Sequence, residues 1–229
     1  MIMSEPRKLV IAIDGPAGAG KSTIAARLAH KLGYINLESG AMYRALALKA
    51  IRSDTSFDDE PALLHLAENS RIQLQPTSNA NRVLLDGLDV SSRIRERDVT
   101  EAASRVSVHP KVRQWMVARQ RTLGEGGGVI MEGRDIGTKV FPDADVKIFL
   151  DAQPEVRQSR RILQRGAEED REQARREAAA LLERDMRDRT RTVSPLVPAE
   201  DAEIIDSSHM SVDEVVARAE QLARAKLRQ

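Results

Sequence analysis

The 229-residue chain contains no cysteine. That absence excludes disulfides, zinc–thiolate centres and a cysteine nucleophile. Aromatic residues make up only 3% of the chain, too few for the stacking platforms that single-stranded nucleic acids favour. Charge of one sign is missing as well. Thirty-six basic residues face 35 acidic ones, the net charge is +1 and the signs are interspersed, which argues against a nucleic-acid surface as the main function. No apolar run approaches the length of a membrane span, and the opening "MIMSEPRK" is too short and polar for a secretory leader. The expected address is therefore the cytoplasm, with no membrane partner, and the expected state a monomer. Lysine is scarce too: eight of the 36 basic residues are lysine and 28 are arginine. A GC-rich genome accounts for that total, but not for where the arginines fall, and arginine is the side chain suited to bidentate phosphate contacts.

What is present begins with "GPAGAGKST" at 15–23, directly after the apolar run "KLVIAI". Gly15-x-x-x-x-Gly20-Lys21-Ser22 has the spacing of a phosphate loop. The glycines let the backbone curl so that several N–H groups converge on one anion, and the following helix adds its positive end. Lys21 suits the β- and γ-phosphates of a nucleotide, and the Ser22 hydroxyl suits a Mg²⁺ ion. The alternative, a Gly-rich turn with no ligand, is weakened by context. An uninterrupted β-rich run reads as a strand buried on both faces. "STIAARLAHKLG" spaces Ile24, Leu28 and Leu32 by four and stops at Gly33, as a helix does.

Further apolar runs at 34–37, 128–132, 145–150 and 203–206 read as strands. Helical patterns cover 21–32, 41–52, 108–123, 154–164, 172–190 and 211–227. This alternation predicts an α/β fold, a five-stranded parallel sheet with helices on both faces. Ligands of such sheets lie at the carboxyl ends of the strands. The segments 15–23, "ESGAMYR" at 38–44 and "EGRDIGT" at 132–138 all fall there. Two regions break the alternation. Residues 55–106 hold short strand-like pieces and a helical stretch, read as an inserted subdomain. Residues 165–191 form a charge-dense helical run, which a solvated, ion-paired helix would also produce. On that helix Arg184, Asp188 and Arg191 share one face, Ala178, Leu181, Leu182 and Met186 offer a packing stripe, and Arg157, Arg161 and Arg165 share a face of the preceding helix.

Taken together, "IAIDGPAGAGKST", "SGAMYRALAL", "LDGLDVSSRIR", "AASRVSVHPKVR", "EGRDIGTKVFPDADVKIFLDA", "RDMRDRTR" and "SPLVPAEDAEIIDSS" resemble the bacterial cytidylate kinase family of the nucleoside monophosphate kinases, nearly end to end. The resemblance implies one kinase domain over 1–229. Its core would be 1–54, 107–156 and 192–229, with a monophosphate-binding insertion at 55–106 and a helical lid at 157–191. It implies transfer of the γ-phosphate of ATP to CMP or dCMP, with Mg²⁺. ATP would lie against Gly15, Pro16, Ala17, Gly18, Ala19, Gly20, Lys21, Ser22 and Thr23, with Arg161 and Arg165 of the lid over the adenine. The monophosphate would meet Ser39, Tyr43 and Arg44. Ser104, Arg113 and Asp135 match positions that read the cytosine edge, Arg184 and Asp188 match ribose contacts, and Arg134 and Arg191 match contacts to the transferring phosphates. Two departures stand out: Glu38 replaces a shorter residue before "SGAMYR", and the lid lacks an aromatic-containing stretch.

The chemistry fits those residue types. Phosphoryl transfer needs alignment and dispersed positive charge more than covalent help, and Lys21, Arg134 and Arg191 supply it. The four histidines match no position given a role in these motifs and are expected to be structural or at the surface. An ionised Asp135 accepts hydrogen bonds and cannot donate, so it suits the cytosine amine and repels the uracil carbonyl. From the residue alone, pairing with Arg134 or capping a helix are equally open. A kinase of another acceptor, such as UMP or AMP, and a nucleotide-dependent switch protein are the alternatives. The second would carry a guanine-reading N-K-x-D stretch, and none occurs.

Overall fold

A computed structural model gives the fold and describes residues 8–77, 81–165 and 171–228; the side chains of 161–178 and 181 lie outside that description. The run "VIAID" forms β1, Val10–Asp14, the middle strand of a five-stranded sheet. The others are β2 (Ile35–Glu38), β6 (Val129–Gly133), β7 (Val146–Asp151) and β8 (Glu203–Asp206), in the order β2-β6-β1-β7-β8. Every pairing is parallel, so all carboxyl ends lie on one edge. Burial on both faces explains why β1 reads as continuous apolar sequence. Its last residue, Asp14, is polar because it meets the loop edge.

Helices α1 (Lys21–Leu32) and α8 (Val212–Leu227) cover one face through Ile24, Leu28, Val215 and Ala219. The other face lies under α2 (Ser39–Arg52) and α5 (Pro110–Gly124). A left-handed Gly33 ends α1, and a Ser211–Glu214 capping box starts α8.

The insertion begins with a helix that the periodicity does not announce, α3 (Glu60–Glu68), capped by Asp59 accepting from the Ala62 N–H. An antiparallel meander follows: β3 (Ile72–Pro76), β4 (Asn81–Leu85) and β5 (Leu88–Asp89). Asp86 and Gly87, both at positive φ, turn β4 into β5, the Asp-Gly signature of a tight hairpin. Helix α4 (Arg97–Val106) then lays Val99, Ala102, Ala103 and Val106 into the same core as Leu46, Met131 and Ile136. The insertion thus extends the core on this side of the sheet. Helix α2 starts at Ser39, two residues ahead of the expected 41, because Glu38 already ends β2 there. Residues 136–140 form a single π-type turn.

The two polar helices are α6 (Pro154–Arg165) and α7 (Arg171–Thr190). Of the expected packing stripe on α7, Leu182 is 44% exposed and Met186 67%; the side chains of Ala178 and Leu181 lie outside the described residues. The end of α7 is held by buried charges instead, Asp185 and Asp188.

Candidate active site

The donor side is built from backbone. Gly15 sits at φ 148°, and a Cβ there would lie 2.0 Å from the Leu150 carbonyl oxygen. Gly18 and Gly20 also hold positive φ. Between them the loop curls to the start of α1, where Lys21 is buried and its Nζ donates to the Pro16 carbonyl at 2.7 Å. Burial, helped by Arg134, lowers the Lys21 pKa to about 7 against the opposing pull of Glu132. An ammonium so destabilised is a ready partner for an arriving polyanion.

Beside it, the Ser22 hydroxyl lies near Glu132, whose pKa it pulls down. Glu132 is 4% exposed and its Oε1 has no partner. Burial and neighbouring Glu38 raise its pKa. Both carboxylates and Ser22 border a cavity of about 590 Å³. An orphaned buried carboxylate oxygen beside a serine hydroxyl fits a hard dication. Among the described residues no group of three acidic or histidine side chains could hold a metal alone, so phosphate oxygens of a substrate would complete the shell.

The acceptor side is built from side chains brought from five segments. Arg113 of α5 donates to Asp135 at 2.5 Å and to the Ser107 carbonyl at 2.9 Å, and its guanidinium lies 5.5 Å from the centre of the Tyr43 ring. Arg134 donates through Nε to Asp188 of α7 at 2.8 Å. Arg191 lies 3.6 Å from Asp188 and 4.0 Å from Asp135. Arg44 pairs with Glu38, and Arg95 approaches the same carboxylate at 3.7 Å. Burial alone would raise the Glu38 pKa, but Arg44 and Arg95 outweigh it and hold it low. Asp188 is likewise held low by Arg134, Arg184 and Arg191 despite burial. Burial and the nearby Arg134 lower Arg184 to about 10. Burial raises Tyr43 to about 12. Among the described residues, three buried guanidinium nitrogens lack a hydrogen-bond partner: Arg44 Nε, Arg113 Nε and Arg191 Nη2. Unmet buried donors of this kind are costly, and an anion would satisfy them.

The structure gathers the sequence candidates, with amendments. Asp135 neither caps a helix nor pairs with Arg134; its partner is Arg113, while Arg134 belongs to Asp188. The Ser39 hydroxyl donates to the Glu132 carbonyl at 2.7 Å. Ser104 accepts from Arg187 at 2.8 Å. Arg161 and Arg165 lie on α6, but their side chains fall outside the described residues.

Asp14 stands inside a quoted motif but was given no role there. It accepts from the Ile136 and Gly137 N–H groups at 2.8 and 2.7 Å, tying the end of β1 to the turn that carries Arg134 and Asp135. Burial raises it to about 6, against the pull of those two hydrogen bonds. The available signal was an acid ending a strand buried on both faces. Glu132 likewise stands inside a quoted motif, but carries no distinguishing spacing.

A phosphate loop after the central strand of a parallel sheet, faced by a cluster of buried and half-buried arginines, defines a P-loop kinase, an enzyme of the transferase class. A solved structure of an uncharacterized protein from Eubacterium ventriosum ATCC 27560 shares the fold. Its TM-score is 0.53 at 11% identity, over 95% of this chain and 99% of that one. The chain belongs to the cytidylate kinase family, whose profile matches residues 11–225. It is 48% identical over 224 residues to the cytidylate kinase of Geobacillus kaustophilus, covering 96% of this chain and 99% of the relative. To that of Pelotomaculum thermopropionicum it is 51% identical over 210 residues, covering 90% and 92%.

Proposed function

We propose that the protein transfers the γ-phosphate of ATP to CMP or dCMP, giving CDP or dCDP, in pyrimidine nucleotide metabolism. The observation that carries this, beside family membership, is the meeting of the two half-sites: Asp14, at the end of the strand that leads into the phosphate loop, holds the Ile136 and Gly137 N–H groups next to Arg134 and Asp135, and Arg134 helps burial to lower the Lys21 pKa. The 15–23 loop holds the ATP phosphates through backbone N–H groups. Ser39, Tyr43 and Arg44 approach the monophosphate, and Ser104, Arg113 and Asp135 read the base. Arg184 and Asp188 face the ribose. We assign 55–106 to the monophosphate-binding insertion and α6 and α7 to the lid, with Arg161 and Arg165 toward the adenine.

In the transfer, an oxygen of the CMP phosphate bonds to the γ-phosphorus as the bond from that phosphorus to the β–γ bridging oxygen breaks, releasing ADP. No phosphoenzyme forms. Two anions must be brought together, and Lys21, Arg44, Arg134 and Arg191 offset their repulsion. A Mg²⁺ ion held through Ser22 and Glu132 would neutralise further phosphate charge. The test is ADP release from ATP with CMP, dCMP, UMP and AMP offered singly. CMP and dCMP are expected to stimulate it most. A strong preference for UMP or AMP, or no stimulation by any acceptor, overturns the reading.

A further inference from the structure

We infer that Asp185 and Arg157 form a positioning pair that fixes the phosphate loop from outside and links it to the acceptor side; this rests on the kinase reading above. Both residues are almost fully buried, at 5% and 4% exposure, and they are ion-paired. Both also hold the backbone of one loop residue. The Ala17 N–H donates to Asp185 Oδ1 at 3.2 Å, and Arg157 Nη1 donates to the Ala17 carbonyl at 2.9 Å. Arg157 Nε is anchored in turn on the Ala152 carbonyl at 3.0 Å. The polar groups that Ala17 offers are thus both taken by side chains from α6 and α7, and neither comes from the loop itself.

The backbone of α6 is equally close. A Cβ on Gly18 would stand 3.2 Å from the Cβ of Arg157 and 3.3 Å from its carbonyl oxygen. Gly18 is therefore needed as glycine for this contact as well as for its φ of 79°. Asp185 also lies one helical turn before Asp188, which holds Arg134, and Arg191 follows one turn later against Asp135 and Asp188. The last turns of α7 and the residue after it touch both half-sites in sequence. A helix is stiff over such a length, so the register of Asp185 on the loop and of Asp188 on the arginine cluster are set together.

A rival account of the same contacts is that Asp185 is an anion occupying the loop in place of phosphate. The two accounts differ in sign. As a positioning pair, Asp185 stays in place with nucleotide bound and its removal weakens ATP binding. As a plug, its removal strengthens it.

The experiment measures binding of a non-hydrolysable ATP analogue and of CMP, separately, to the wild type, to Asp185→Asn and to the double variant Asp185→Asn/Arg157→Met. Losing one partner of a buried ion pair destabilises a fold, and neutralising both relieves it. The double variant is therefore expected to melt close to the wild type even where Asp185→Asn does not fold. It should nevertheless bind the ATP analogue about tenfold more weakly, as expected when a charge-assisted hydrogen bond to a loop is lost. CMP binding in the absence of nucleotide should weaken as well, by about two- to threefold, since Asp185 and Asp188 stand one helical turn apart and neighbours in one charged network couple. Unchanged or tighter ATP binding by the folded double variant overturns the proposal. If the wild type itself binds neither ligand, it is the kinase reading that fails.

Discussion

The two halves of the site solve one problem by different means. The donor side, as we assign it, is a contiguous nine-residue loop whose ligand groups would be mostly backbone, and whose side chains are kept small so that the chain can curl. The acceptor side uses almost no backbone. Arg44, Arg113, Arg134 and Arg191 come from separate segments, each leaning on a carboxylate, and only folding brings them together. A backbone cradle is damaged by adding atoms. A side-chain cluster is damaged by removing charge, and its members can partly cover for one another.

The sharpest way to break the donor side is Lys21→Ala. Its ammonium faces the loop carbonyl of Pro16 and carries the charge that no backbone group replaces. The rate of transfer should fall by about 10³, at the upper end for one lost electrostatic contact. Because burial already disfavours the lysine charge, the melting temperature should hold or rise slightly. Steady-state kinetics beside calorimetry check this, and a large loss of stability would contradict it.

Gly15→Ala should do the reverse. The added methyl would press on the Leu150 carbonyl at 2.0 Å in a backbone conformation unsuited to a side chain. A cost of about 2–3 kcal/mol is expected, seen as a fall in melting temperature of roughly 5–10 °C for a chain of this size. An unchanged melting temperature would mean that the loop can move away from β7.

This contrast explains what the sequence made legible. The loop was readable because its ligands are consecutive and its spacing is set by one turn of backbone. The parallel sheet was readable because burial on both faces leaves long apolar runs at 10–14 and 129–133. Helix α3 and the π-type turn at 136–140 were not, since the first is nine residues long and the second has no periodicity of its own. On the acceptor side the residues came only through family resemblance, and their pairing not even then. Nothing in the spacing of Arg113 and Asp135, 22 residues apart, or of Arg134 and Asp188, 54 apart, says who holds whom. Arg157 appeared only as one of three arginines on a face, and Asp185 as one acid in a charged run. Leu182 and Met186 misled, because helical spacing of apolar residues does not reveal whether a partner surface exists.

Asp135→Asn sharpens the acceptor side. As a base reader, the Asp135 carboxylate would accept from the cytosine amine, whereas an asparagine amide could turn and donate to the uracil carbonyl. The ratio of kcat/KM for CMP over UMP should fall about tenfold, or about 1.4 kcal/mol. The KM for ATP should stay nearly constant. Arg113 would lose its buried charged partner, so a structural role predicts equal loss on CMP and UMP. Equal loss would remove Asp135 from base reading and leave it as the anchor of Arg113. It could no longer be explained through Arg134, which Asp188 holds.

The smallest effect tests whether the donor side depends on a single titrating group. Lys21 is lowered to about 7 by burial, with Arg134 adding to it, so in the free protein near neutral pH it is about half charged. ATP brings several negative charges against the ammonium and restores the charged form. Binding therefore takes up a proton wherever the free lysine is neutral, and affinity falls as pH rises through 7. With a free pKa of about 7, the linkage relation gives a loss of about threefold between pH 6.5 and 7.5. The nucleotide's own phosphate titrates in the same range and works in the opposite direction. Lys21→Arg separates the two, because arginine stays charged across the window. The variant keeps only the nucleotide's contribution, so its affinity should rise relative to the wild type by that threefold across the interval. Titration calorimetry in buffers of different ionisation enthalpy should show proton uptake by the wild type that Lys21→Arg lacks. Parallel pH curves for the two proteins would mean that Lys21 is fully charged before ATP arrives and that the burial around it is better compensated than its neighbours suggest.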